Sequence, residues 1–255
     1  MTALAQRANS AETTVRSITR AVDLLQLFDG HHPYRGLREA VELTGLPKTT
    51  VVRLLATLAG QGLVSERADG SYGLGAAFLR WVRLAQDRWQ VGADVRAAMR
   101  ALADECGETI NLYVRQDVNR ICIAQEEGSA TVRSVVPLGV GLSLTVGAPA
   151  AVLLAEASES TLDALLTGER GDDLRVRVSD AAEKGYAVSH GEREQGASAV
   201  AAPVRGSRGQ VVAALSVSGP TSRFTPERVR HYAKAAIRTA SEITQLRLES
   251  VEANL

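Results

Sequence analysis

Two groups of side chains in this 255-residue chain have the types and the spacing for chemistry. The first is Lys48, Thr49, Thr50 and Arg53, within TGLPKTTVVRLLATLAGQG at 44–62. Val51, Leu54, Leu55 and Leu58 of the same stretch fall at i, i+3, i+4 and i+7, the spacing of a helix face that packs on a core. The cationic and hydroxyl residues are left on the opposite face, where they can meet a polyanion. Pro47 suits the first helical turn, where its missing N–H costs nothing, and sets the helix start just ahead of them. The second group is Ser216 and Ser218 in ALSVSGP. Alternation with period two puts both on one strand face and Leu215 and Val217 on the other, and two neighbouring hydroxyls can receive a carboxylate.

These residues need elements to hold them. Residues 17–28, SITRAVDLLQLF, place Ile18, Ala21, Val22, Leu25 and Phe28 on one stripe after a lead-in of Thr13, Thr14, Arg16 and Ser17. HHPYRG breaks the chain, LREAVELTG gives a second helix ending at Gly45, and the opening stretch is the third. LVSERADGSYGLG then reads as two short strands about a tight turn at Asp69-Gly70. Three helices and a hairpin make a winged helix-turn-helix over 14–75. From Ala76 the pattern turns helical again, with Phe78, Val82, Ala85 and Trp89 in register, a bend at Gly92, and then Val95, Met99, Leu102 and Cys106. The connecting helix, 76–91, carries Trp81 and Trp89 and is too apolar for a solvated tether. We read it as a dimerisation element.

Over 92–250 strand-like runs (ETINLYVRQ, NRICIAQEE, TVRSVVPL) precede helices in APAAVLLAEAS, STLDALL and LRVRVSDAAEKG. Three more strands follow in GYAVSH, SAVAAPV and QVVAALSVS, the last two joined through RGSRG. Thr225 as cap and Pro226 in the first turn open a closing helix with Val229, Tyr232, Ala236, Ile237, Ala240 and Ile243 on one face. The expected class is α+β, with an antiparallel sheet covered by helices in the second domain, a shape suited to a small ligand.

The totals narrow the function. The chain is 45% hydrophobic and 23% charged with zero formal net charge, so a nucleic-acid surface must be local. No run of about 18 apolar residues spans a membrane and the first twenty residues lack a signal-peptide core, so a cytoplasmic location is expected. Cys106 and Cys122 form no CxxC pair and neither lies near a His, which points to no disulfide, no metal site and no cofactor. There is no G-x-S-x-G elbow, H-E-x-x-H pair or phosphate loop, so no enzyme is expected.

TGLPKTTVVRLLATLAGQGLV with the hairpin DGSYGLG, the strand ETINLYV, the GY segment near 185, VAAPV and ALSVSGPTSRFTPER together resemble the IclR family of bacterial transcription regulators, from about Val15 to Ile243. The resemblance implies a winged helix-turn-helix that binds operator DNA as a homodimer or homotetramer, and a GAF-like domain whose effector changes that binding. In such a helix Lys48, Thr49, Thr50 and Arg53 face the major groove, where Arg can grip guanine bidentately. The wing would touch the flanking backbone through Arg67, Ser71 or Tyr72, and Arg16, Ser17 and Arg20 would reach phosphates beside the first helix. The alternative is an interaction module that uses a winged-helix scaffold without specific DNA binding.

Carried over by position, the family's effector pocket falls on Ala148, Pro149, Ser189, Ala199, Ser216 and Ser218. Where the pattern has Asp and Cys this chain has Ser189 and Ala199, and where His-Ala-Thr and Gly-Lys are common it has Thr145-Val146-Gly147 and Ala150-Ala151. The implied pocket is less charged and more apolar, which argues against a very small polar keto acid. VPLGVGLSLTVGAPAAVLLA, SHGEREQG and APVRG look like the branch controlling amino-acid biosynthesis, and an aromatic acid is the other expected effector.

Overall fold

Leu24, Ala40, Val51, Leu55, Leu58 and Val64 close a small core between three helices, α1 (Arg16–Leu25), α2 (Leu37–Thr44) and α3 (Lys48–Gly60). The computed structural model describes residues 15–166 and 168–254, apart from the side chains of 168–170. Thr13 and Thr14 of the lead-in, and with them the start of the expected first domain, lie outside the described residues. The chain divides into two compact units, up to Asp87 and from Arg88. Each large aliphatic residue buried in the first unit contributes about 1.5–3 kcal/mol, which is how the face opposite Lys48 and Arg53 holds α3 in place.

The helical stripe of α1 is rotated from the expected one. Leu24 is its buried residue, flanked by partly buried Ala21, Leu25 and Phe28, while Ile18 and Val22 are exposed. Pro47 precedes α3 as its N-cap in extended conformation instead of entering the first turn. HHPYRG holds a short strand, β1 (Tyr34–Gly36), which pairs with β3 (Ser71–Leu74); β2 (Val64–Glu66) pairs with the other edge of β3. A three-residue strand with no alternating run carries too little pattern to be read from sequence. The wing turn is a four-residue loop: the Gly70 N–H donates to the Arg67 carbonyl at 3.0 Å, and the Arg67 N–H donates to the Ser71 carbonyl at 2.8 Å. Gly70 takes the position with φ +77°, which glycine adopts at no steric cost.

After α4 (Ala77–Arg88) and α5 (Ala93–Cys106), six antiparallel strands follow: β4 (Thr109–Gln116), β5 (Asn119–Glu126), β6 (Gly141–Ser143), β7 (Ala187–His190), β8 (Ala197–Arg205) and β9 (Val211–Pro220). Their order across the sheet is β6-β5-β4-β9-β8-β7. Leu112, Val200, Ala202, Leu215 and Val217 face α5 and α9 (Pro226–Leu246). The opposite face, with Tyr113, Cys122, Ala201 and Ala214, packs under α6 (Ala148–Leu154), α7 (Glu159–Leu165) and α8 (Gly168–Lys184). A short helix, α10 (Glu249–Glu252), closes the described chain. The Thr225 hydroxyl caps α9 by accepting from the Arg228 N–H at 3.3 Å, with Pro226 in the first turn as expected. TVRSVVPL is not a strand: residues 131–138 run irregularly between β5 and β6, with Val132, Val135 and Leu138 exposed. Its apolar run mimics a strand in composition but finds no partner edge, because β6 has taken the edge beside β5.

Candidate functional site

The residues expected to meet a polyanion are carried in the first unit mainly by α3. Lys48 is its first residue, so a cation sits at the end where unpaired backbone N–H groups already favour an anion. Lys48, Thr49 and Arg53 are exposed and Thr50 is half-buried. Among the described residues neither Lys48 nor Arg53 has a carboxylate partner, whereas Arg35 of β1 pairs with Glu39 of α2 at 2.7 Å and Arg38 with Glu42 within α2 at 2.9 Å. Arg16, Ser17 and Arg20 in the first half of α1 are exposed as well, and among the described residues Arg16 and Arg20, like Arg80 and Arg83 of α4, have no carboxylate partner.

The wing distributes its three candidates differently. The Arg67 guanidinium carbon lies 4.0 Å from the centre of the Tyr34 ring, a stacking that steadies the cation on the wing surface. The Ser71 hydroxyl and N–H both donate to Asp69 Oδ1, at 2.6 and 2.9 Å, which holds the Asp69 carboxyl below its usual pKa. Ser71 therefore shapes the turn. Tyr72 is half-buried against the winged-helix core, and its burial, with Glu66 nearby, raises the phenol pKa.

In the second unit, a cavity of about 30 Å³ lies on the sheet face beneath α6. Pro149, Ser189, Ala199 and Ser218 line it; Ala148 and Ser216 do not. Ser216 is wholly buried behind the wall, its hydroxyl 3.0 Å from that of Ser218, so alternation places the two on one face but only one reaches the space. Ser189 and Ala199 are directly opposed across β7 and β8. The volume holds about two water molecules. A ring or branched side chain is larger than this volume and enters only if the lining shifts.

The cavity also contains residues that the sequence reading missed. Tyr113, Arg120 and Arg193 line it together with Ser134, Val136 and Ser198. Arg120 is 2% exposed on β5, a cation on a phase of the strand that the fold buries; with Ile121, Cys122, Ile123 and Ala124 apolar on both phases, the sequence carries no signal of that burial. Its Nη1 donates to the carbonyls of Ser143 and, at 2.8 Å, Val146. Burial pulls its pKa down to about 10, with the Tyr113 phenol and Glu192 pulling up and Arg193 pulling down, so it stays charged at neutral pH. Gly147, at φ +91°, lets this happen: a Cβ there would stand 3.3 Å from Arg120 Nη2.

A winged helix-turn-helix with an unpaired cationic helix, together with a unit holding a small polar cavity, defines the class of ligand-responsive DNA-binding regulators. The chain belongs to the IclR family of transcription regulators: residues 17–68 match the IclR helix-turn-helix domain and residues 85–245 the bacterial transcriptional regulator IclR C-terminal domain. It is 30% identical over 241 residues to the HTH-type transcriptional regulator KipR of Bacillus subtilis, covering 90% of this chain and 96% of that one. An IclR-family regulator from Rhodococcus sp. of known structure is 47% identical, with a TM-score of 0.62, over 95% of this chain and 97% of that one. An IclR homologue of Microbacterium hydrocarbonoxydans, solved in complex with 4-hydroxybenzoate, shares the fold at 20% identity and a TM-score of 0.63, over 89% of this chain and 100% of that one. The chain is therefore a transcription regulator with a helix-turn-helix DNA-binding domain, and the scaffold without DNA binding is not favoured. No helix among the described residues is long and apolar enough to cross a membrane.

Proposed function

We propose that the protein binds an operator as a homodimer or homotetramer through α3, acts without catalysis in the cytoplasm, and changes its grip on DNA when a small carboxylate enters the cavity beneath α6. The observation that carries the DNA part is the pair of partnerless cations, Lys48 and Arg53, at the start of a helix whose other face is buried. Lys48, Thr49, Thr50 and Arg53 are assigned to the groove, and Arg16, Ser17, Arg20 and Arg67 to flanking phosphates. Ser71 and Tyr72 shape the wing that carries Arg67.

Helix α4 supports the assembly. None of its residues is buried, and Leu79, Trp81, Val82 and Leu84 are between 46% and 73% exposed. An apolar helix so exposed in one copy is assigned to contact a second copy. In the effector site, Pro149, Ser189, Ala199 and Ser218 form the wall, with Ala148 and Ser216 behind it. The relative that binds 4-hydroxybenzoate supports a carboxylate as the ligand type.

An electrophoretic shift with the DNA upstream of the protein's own gene, at several salt concentrations, tests this reading. Arg16, Arg20 and Arg67 from each of two protomers supply about six phosphate contacts, so affinity should fall about a thousandfold between 50 and 200 mM salt. A salt-independent shift, or none, defeats it.

A further inference from the structure

The wall of the cavity is cationic. Arg120 and Arg193 are its ionisable liners besides the Tyr113 phenol, and among the described residues no carboxylate lines it. The nearest acid, Glu192, is turned to other duties: its Oε2 accepts from the Gly147 N–H at 2.8 Å and pairs with Arg177 at 3.0 Å. Arg193 Nη2 donates to the Ser134 hydroxyl at 3.2 Å and lies 3.4 Å from the exposed Glu194. Among the described residues Arg120 has no carboxylate partner. Two backbone carbonyls take its Nη1, the Tyr113 ring centre lies 5.7 Å from its guanidinium carbon, and its buried Nε is without a partner. A buried guanidinium that lines a cavity and keeps a donor unbonded is suited to an anion.

We propose that Arg120 is the carboxylate anchor of the effector site, and that through it the site selects acids over the corresponding amides and amino acids. This rests on the reading of the cavity as the effector site and names the residue and charge logic within it. A carboxylate set on Arg120 is met by charge-assisted bonds from the guanidinium, while the hydroxyls of Ser189, Ser198 and Ser218 are left for neutral oxygens of the ligand. The ammonium of an amino acid would enter beside two guanidinium groups with no acid to receive it. A neutral amide would bring no charge to balance the Arg120 guanidinium. The serines, read from sequence as the carboxylate donors, become secondary.

The test uses the full chain, with binding measured by calorimetry and thermal shift for three sets of probes: 4-methyl-2-oxopentanoate and 4-hydroxybenzoate, their amides, and leucine and 4-hydroxyphenylglycine. At least one acid should bind wild-type protein ten times or more tightly than its amide and its matched amino acid. Arg120→Met should lose that preference, with Arg120→Lys retaining part of it. Equal binding of acid and amide, or of leucine and its oxo acid, overturns the anchor while leaving the effector site standing, as does undiminished acid binding by a folded Arg120→Met. If no probe of any set binds wild-type protein, the anchor and the effector reading of this cavity fall together. The wild-type acid–amide comparison decides the matter even if Arg120→Met does not fold.

Discussion

Glu108 and Arg223 form an ion pair whose two halves are unequally buried, and the inequality makes a prediction. Glu108 is 2% exposed; Arg223, in the 3-10 turn after β9, keeps 27% of its side chain exposed. Arg223 donates from Nε to Oε1 at 2.5 Å and from Nη2 to Oε2 at 2.6 Å, and Nη2 also reaches the Val132 carbonyl at 3.0 Å. The carboxylate holds the guanidinium above its usual pKa. Among the described residues, Arg223→Met leaves Glu108 with the Tyr232 hydroxyl alone, at 3.4 Å and shared with the Cys106 carbonyl, and should cost about 3–5 kcal/mol, the range for a buried charge stripped of its partner. Glu108→Gln leaves Arg223 able to turn its head into water and keeps an acceptor in place, so about 1–2 kcal/mol is expected. The double variant should recover most of the difference, because no uncompensated charge stays inside. Urea unfolding followed through Trp89, which packs on the core of this unit, measures all three. A Glu108→Gln loss equal to or above that of Arg223→Met refutes the argument from unequal burial.

Three further outcomes are expected. Arg53→Ala should lose about 1–3 kcal/mol of specific binding by anisotropy, whereas Arg67→Ala should weaken operator and random DNA alike; unchanged affinity in both removes α3 and the wing from the interface. Trp81→Glu should lower the oligomer mass in light scattering, and a wild-type mass with intact DNA binding moves the subunit contact away from α4. Burial pushes the thiols of Cys106 and Cys122 up to about 12, so below pH 9 each carries about a thousandfold less thiolate than an ordinary thiol and should resist alkylation at pH 8 until the chain is unfolded. Because the folded state keeps these protons longer, their contribution to stability is complete below pH 9 and is lost from there towards 12; rapid labelling of native protein at pH 8 contradicts this.

Long periodic elements were legible in the sequence, and elements fixed by contact were not. The α3 face was readable because four apolar residues repeat at helical spacing, and the cap of α9 because Thr225 and Pro226 use local chemistry alone. Residues 131–138 carry strand-like composition, and only the pairing of β6 with β5 decides against them. In α1 the stripe through Ile18 and Val22 competes with that through Ala21, Leu24, Leu25 and Phe28, and the core against α3 chooses the second. At the cavity, alternation located Ser216 and Ser218 on one face, but the wall is assembled from several strands and one irregular segment, so the share of each serine depends on depth. Arg120 was missed because its neighbours Ile121 and Ile123 make β5 read as an ordinary strand.

The central claim is that α3, in a symmetric assembly, reads a specific operator. Hydroxyl-radical footprinting of the DNA upstream of the gene tests it most directly, with wild-type protein and with Lys48→Ala/Arg53→Ala. The account predicts two protected half-sites about 10–10.5 base pairs apart, or a multiple of that, for the wild type, and no footprint for the double variant at the same protein concentration. A wild type that protects no discrete site, or a double variant whose footprint matches the wild type's, contradicts it.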